Sequence, residues 1–272
     1  MEAGIMLYVG CQVDVYEQIR VLREIGVRRT FINAKHPEID RVLTTIREAG
    51  ILCDTLHAEY QGSWQGERIC MDDVSREGTA GDHMVARIMK NIDKCAEYDI
   101  PVIVVHPSNQ PPETIHHAIA KERYTALGDH ARAKGVTIAF ENVIYTENLK
   151  EIMSLVPDAK FCWDCGHEWS RLKGERPMPL FGHRLAALHI HDNFLTQDKH
   201  MIPFMGKINF EDVGRQLADS GYDGTMMLEI MYGGNAENSA EPTYRDYALK
   251  AKSAAERLIG IVTKYREQTR PS

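Results

Sequence analysis

The chain alternates. Apolar runs of strand length and segments of helical period follow one another about eight times across 272 residues. The strand candidates are residues 5–10, 28–34, 51–58, 101–107, 136–143, 161–167, 185–193 and 224–230. Helical periodicity and glycine stops mark residues 14–26, 37–50, 79–98, 112–135, 149–156, 210–221 and 244–265, with a short helical turn after Pro179. Alternation of this kind predicts parallel strands joined by helices. The run PVIVVHP is nearly all apolar, as expected of a strand covered on both faces. Eight such units in roughly 250 residues match a closed (β/α)8 barrel. The competing arrangement, an open doubly wound sheet, collects its chemistry at one switch point. It also tends to carry a glycine-rich phosphate turn after the first strand, and YVGCQVD is a poor match to one. The expected fold is therefore α/β, a single (β/α)8 TIM barrel spanning residues 1–272.

The strand ends carry the second signal. FCWDCGH stops on Asp164 and His167, and IVVHP on His106. IAFENV stops on Glu141, ALHIHDN on His189, His191 and Asp192, MMLEI on Glu229, and CDTLHAEY carries His57. Charging a strand end inside a fold is costly. Singly, each residue reads as a cap, a salt-bridge partner or a supporting hydrogen bond. Together they form a ring at the end of a barrel where active sites sit. Glu141, Asp164, His189 and Glu229 supply three carboxylates and one imidazole. Such an oxygen-rich set suits one divalent ion: manganese, cobalt, magnesium or zinc. If His57, His106, His167, His191 and His200 also bind metal, a second or third zinc enters. Strand periodicity puts His189 and His191 on one face, so spacing alone does not choose between them.

Bulk composition narrows the partners. With 32 basic and 39 acidic residues the net charge is −7, which argues against a chain that lives on nucleic acid or an anionic membrane. No apolar run approaches the ~20 residues of a membrane helix. The start, MEAGIMLYVG, shows no basic signal-peptide region. Six scattered cysteines then predict reduced thiols in a cytoplasmic protein, with Cys162 and Cys165 as ordinary buried thiols. Two long loops, residues 59–78 and 194–209, read as lids. Arg68, Arg171, Lys173, Lys199 and Lys207 near the mouth read chiefly as solvated surface charge.

The segments ENV at Glu141, WDCGH at Asp164–His167, HIHDN at His189–Asn193, DKHMIPFMGKINF at Asp198–Phe210 and LEI at Glu229 resemble the xylose-isomerase-like barrel superfamily. That superfamily holds sugar and sugar phosphate isomerases and epimerases, inosose dehydratases and endonuclease IV. By this resemblance Glu141, Asp164, His189 and Glu229 match the single-metal site of ketose epimerases. His189 is preferred to His191 because it opens the HxxD motif that closes on Asp192. His167 matches a substrate-contacting histidine. The resemblance implies a metal-dependent isomerase or epimerase acting on a small carbohydrate, with an inosose-dehydratase-like lyase as a variant of the same proton abstraction. The expected assembly is a homodimer or homotetramer.

Endonuclease IV is the other reading. Each ligand of its three-zinc site has a counterpart in His57, His106, Glu141, Asp164, His167, His189, Asp198, His200 and Glu229. Against it, the family's DTCHA segment stands here as DCGHE, and the stretch after His189 lacks the SKN-type basic segment. The acidic balance also offers little for the phosphate contacts that dominate DNA affinity.

For an isomerase the task is to remove a proton next to a carbonyl through a metal-stabilised enediolate. Glu141 and Glu229, from opposite sides of the barrel mouth, are the expected catalytic acid–base pair. His57, His106, His167, Asp198, His200 and Trp64 are the expected substrate-binding residues, Trp64 as part of a covering loop.

Overall fold

The computed structural model describes residues 1–172 and 174–269; Lys173 lies outside the described residues. In chain order the strands and helices are β1 (Ala3–Ile5), α1 (Val15–Glu24), β2 (Arg29–Asn33), α2 (Ile39–Glu48), β3 (Leu52–His57), β4 (Gln61–Trp64), β5 (Glu67–Cys70), α3 (Thr79–Glu97), β6 (Val102–Val105), α4 (His117–Ala133), β7 (Thr137–Glu141), α5 (Thr146–Leu155), β8 (Lys160–Asp164), α6 (Cys165–Ser170), α7 (Met178–Phe181), β9 (Leu185–His189), α8 (Phe210–Ser220), β10 (Met226–Leu228) and α9 (Tyr244–Thr269).

Eight of the strands form one parallel sheet in the order β10-β1-β2-β3-β6-β7-β8-β9. Ile190 closes the ring: its N–H donates to Met227 O at 3.0 Å and its carbonyl accepts from Glu229 N at 3.0 Å. The fold is a (β/α)8 TIM barrel. Inside it, Val104, Ala139, Cys162 and Ala187 form a small apolar layer of their own, apart from the large core between sheet and helices. Two residues further along the same strands, and so on the same face, stand His106, Glu141, Asp164 and His189.

Three expectations are corrected. The stretch 59–78 is not a plain loop. It holds the antiparallel ribbon β4–β5, turned through Gln65 and Gly66, both at positive φ, and then a 3-10 turn, Met71–Ser75. The ribbon is largely exposed, so it lacks the apolar alternation that announces a strand. The FCWDCGH strand ends at Asp164, because Cys165 opens α6 and the Asp164 side chain caps it by accepting from His167 N at 2.6 Å. The first strand is Ala3–Ile5, which starts before the expected 5–10 and shares only Ile5 with it, continuing as a single bridge from Leu7 to Ile32.

Candidate active site

Hydrogen-bond register steps the strand ends around the barrel: His57 pairs with Val104 and Glu141 with Cys162, each two residues short of the next strand's ionisable end. His57, Glu141, Asp164 and His189 are the last residues of β3, β7, β8 and β9, and Asp164 pairs with His189 across the sheet. His106 and Glu229 each lie one residue past β6 and β10. The loop after β9 brings in Asp198 and His200. Asp192 pins that loop: its carboxylate accepts from Asn193 N (2.8 Å), Gly206 N (2.6 Å) and Ile208 N (3.1 Å), and its backbone pairs with Met201. Leu195, His200 and Phe204 all take positive φ there, a concentration of backbone strain at the cavity rim.

A cavity of about 250 Å³ opens over this ring. Of the expected residues, His57, His106, Glu141, His167, Asp198, His200 and Glu229 line it. Asp164 and His189 are fully buried at its edge. Trp64 is the exception. It stacks on His83 of α3, ring centres 3.6 Å apart, and does not line the cavity. Its place is taken by Tyr60, stacked on His106 at 5.1 Å. Lys35, Asn33 and Asn109 also line the cavity and carry no strand-end signature in the sequence. Of the basic candidates, Arg171 lines the cavity and donates to Asp198 Oδ2 at 2.6 Å. Arg68 bonds Gln61 within the ribbon, Lys199 sits 4.0 Å from Glu237, and Lys207 is exposed.

Three groups of acceptors converge. In the first, His57 Nε2, His106 Nε2 and Glu141 Oε2 stand 3.1, 3.3 and 3.5 Å apart. His57 Nδ1 donates to Ala58 O at 2.8 Å, which leaves Nε2 facing inward. In the second, His189 Nδ1 lies 3.1 Å from Glu141 Oε2 and 3.4 Å from Glu229 Oε2. In the third, Asp198 Oδ2 lies 3.2 Å from His167 Nε2 and 3.1 Å from His200 Nε2. The His167 and His200 Nδ1 atoms donate to the carbonyls of Asn142 and Glu229.

Burial works to raise the Glu141 carboxyl, but the imidazoles of His189 and His106 outweigh it and hold it well below the usual range. Asp198 is partly buried, which works to raise it, but its bonds to His167 and His200 hold it down. Burial works against charge on His167, His189 and His200, yet their neighbours raise all three: carboxylates at His167 and at His200, the latter to about 9, and Cys162 with Glu229 and Glu141 at His189. Burial lowers His106. Each contact therefore needs a positive particle between its acceptors, either a ring proton or a metal ion in its place.

The donors fit a metal. Glu141 Oε2, Asp164 Oδ2, Asp198 Oδ1, Glu229 Oε2 and both nitrogens of His189 are buried with no hydrogen-bond partner. Two ligands about 2.0–2.1 Å from a tetrahedral ion lie roughly 3.3–3.4 Å apart. The 3.1–3.5 Å spacings above bracket that value. Cys162 lies within reach of Glu141 and His189, and burial pushes its thiol up to about 12.

A family model for the xylose isomerase-like TIM barrel matches residues 19–251. The chain belongs to the xylose isomerase-like TIM barrel family. Among solved structures, a D-tagatose 3-epimerase-like protein superposes with a TM-score of 0.75 at 21% identity, covering 97% of this chain and 99% of that one. D-psicose 3-epimerase from Clostridium cellulolyticum gives 0.68 at 16% identity, covering 98% and 99%. At these identities the likeness is one of fold. Inosose dehydratase of Lacticaseibacillus casei is 27% identical over 162 residues, 50% of this chain and 52% of that protein. The chain spans about half the length, or less, of the curated relatives it matches. No described helix of this family member is long and apolar enough to cross a membrane.

Proposed function

We propose that this family member is a divalent-metal-dependent isomerase or epimerase of a small carbohydrate. The observation that carries the reading is the pair Glu141 and Glu229. They come from strands far apart in the sequence, yet both reach His189 Nδ1, both line the cavity, and each holds an oxygen with no hydrogen-bond partner. Glu141, His189 and Glu229, with Asp164 on the neighbouring strand, would hold the ion. A divalent ion there supplies a Lewis acid for a carbonyl oxygen, which acidifies the adjacent C–H. Glu141, held ionised by its imidazole neighbours, would take or return the proton with the carboxylate oxygen turned away from the ion, and Glu229 would do the converse in the same way. Acid–base catalysis of this kind contributes roughly 10²–10⁴-fold. His106 and His167 hold substrate hydroxyls, and Tyr60 covers the sugar on the β3 side. The same abstraction followed by loss of a hydroxyl is the lyase chemistry that the inosose dehydratase relatives suggest.

A second reading rests on the other two acceptor groups. His57–His106–Glu141 and His167–Asp198–His200 each have the spacing of a tetrahedral zinc site, as a multi-zinc phosphodiesterase acting on abasic DNA requires. Metal-loaded protein assayed on a panel of ketoses and on abasic-site duplex separates the two. Isomerisation that falls at least 100-fold in both Glu141→Gln and Glu229→Gln supports the first. Strand cleavage without isomerisation replaces it with the second.

A further inference from the structure

The HIHD segment places two histidines on one face, and the structure sends them to different partners. His189 faces Glu141 and Glu229. His191 Nε2 faces Asp164 Oδ1 at 3.1 Å and Asp198 Oδ1 at 3.5 Å. His191 is fully buried, and neither of its nitrogens has a hydrogen-bond partner. The approach to Asp164 is close but lacks the angle of a hydrogen bond. Asp198 Oδ1 is likewise buried and unpartnered. An unpartnered imidazole between two carboxylates, at separations that again bracket two ligands on one ion, is the pattern of a shared cation.

The surroundings hold this ring in place. His191 stacks on His200, centres 4.1 Å apart and planes 19° from parallel. A Cβ at Gly166 would lie 1.8 Å from His191 Cε1, so the ring occupies space that only a glycine leaves open. Asp164 and Asp198 each have a second oxygen turned elsewhere. Asp164 Oδ2 faces His167 Nδ1 at 3.3 Å without a hydrogen bond, and Asp198 Oδ2 faces His167 and His200. Both carboxylates can therefore bridge.

We propose that His191 is a metal ligand in its own right, forming with Asp164 and Asp198 a centre separate from the one His189 forms with Glu141 and Glu229. The proposal rests on the metal-binding reading above, and it gives both histidines of the HxH pair a ligand role. The donor set of one imidazole and two carboxylates suits zinc, cobalt or manganese.

The test is metal stoichiometry by elemental analysis, with affinity by chelator competition, on the full chain loaded with zinc or cobalt. Wild type should hold at least two ions per chain. His191→Gln keeps an amide N–H where Nε2 lies but is a poor ligand, so it should hold one ion fewer, or bind that ion at least tenfold more weakly. His191→Asn should behave alike. Gly166→Ala keeps the imidazole but displaces it, and should also lose the ion. Far-UV circular dichroism of the metal-free variants checks that each folds. A cobalt-loaded wild type should show a d–d spectrum that His191→Gln alters. Unchanged stoichiometry and affinity in His191→Gln would make His191 a hydrogen-bonding partner of Asp164 and overturn the proposal. One ion per wild-type chain would overturn it too, while leaving the metal-dependent reading standing. No bound ion would end both.

Discussion

Replacing Asp192 by Ala should loosen the loop that carries Asp198 and His200 without touching either. Asp192 is fully buried and accepts from three backbone N–H groups, two of them fourteen and sixteen residues further on. A buried donor left without its acceptor costs about 1–3 kcal/mol. Three such donors set an upper range of roughly 3–9 kcal/mol, and opening of the loop to water brings the expected cost to the low end, about 3 kcal/mol. In a chain of this size that is a fall in Tm of roughly 6–12 °C. Asp192→Asn keeps one acceptor oxygen. It can still serve Asn193 and Ile208, both on Oδ1, but turns an amide N–H toward Gly206, so about half the loss is expected. Urea midpoints at constant m-value measure both, and limited proteolysis between residues 194 and 209 reports local opening. An Asp192→Ala protein within about 0.5 kcal/mol of wild type, with the loop equally protease-resistant, would refute the view that this carboxylate organises the rim.

Other consequences can be checked more briefly. Stripping metal with a chelator should lower Tm, and re-adding manganese or zinc at 100 times its Kd should restore about 2.7 kcal/mol of stability; an unchanged melting curve would contradict metal binding to the native state. Trp64→Ala should leave kcat/KM within about twofold, whereas Tyr60→Ala should lower it by at least tenfold, a loss of about 1.4 kcal/mol of transition-state stabilisation. The reverse order would return the covering role to the ribbon. Ala139→Leu overfills the small layer beneath Glu141 and should cost about 1–3 kcal/mol while lowering metal affinity; a stability loss with intact affinity would show that the floor does not set the height of Glu141.

The barrel was legible because its strands are buried on both faces and its helices carry one apolar stripe. These signals survive in a single sequence. The ring of His57, His106, Glu141, Asp164, His189 and Glu229 was legible for a related reason, since ionisable residues closing apolar runs have little structural excuse. What stayed hidden depends on contacts made across the fold. Tyr60 and Trp64 lie four residues apart with similar chemistry, and only the turn of the ribbon sends one to the cavity and the other to His83. Lys35 follows a strand end that holds Asn33, so no charge marked it. The division of labour between His189 and His191 was beyond period-two reasoning, because it depends on Gly166, in a helix opened by a different strand. For Asp164 the sequence offered a cap or a ligand, and the structure shows the cap while keeping the side chain at the ring. Its Oδ1 both caps a helix and faces His191, while Oδ2 faces His167.

The layer of Val104, Ala139, Cys162 and Ala187 bears on how such a site can change. These side chains are too small to steer the residues above them, so the lateral spacing of His106, Glu141, Asp164 and His189 follows the hydrogen-bond ladder of the sheet. This ring of side chains is thus anchored to the backbone of the barrel itself. Further side chains at the cavity hang from loops above it: Lys35 after β2, Tyr60 before the ribbon, Arg171 after α6 and His200 beyond β9. A barrel of this design can exchange its clientele by rewriting loops while the chemistry beneath stays anchored to the backbone.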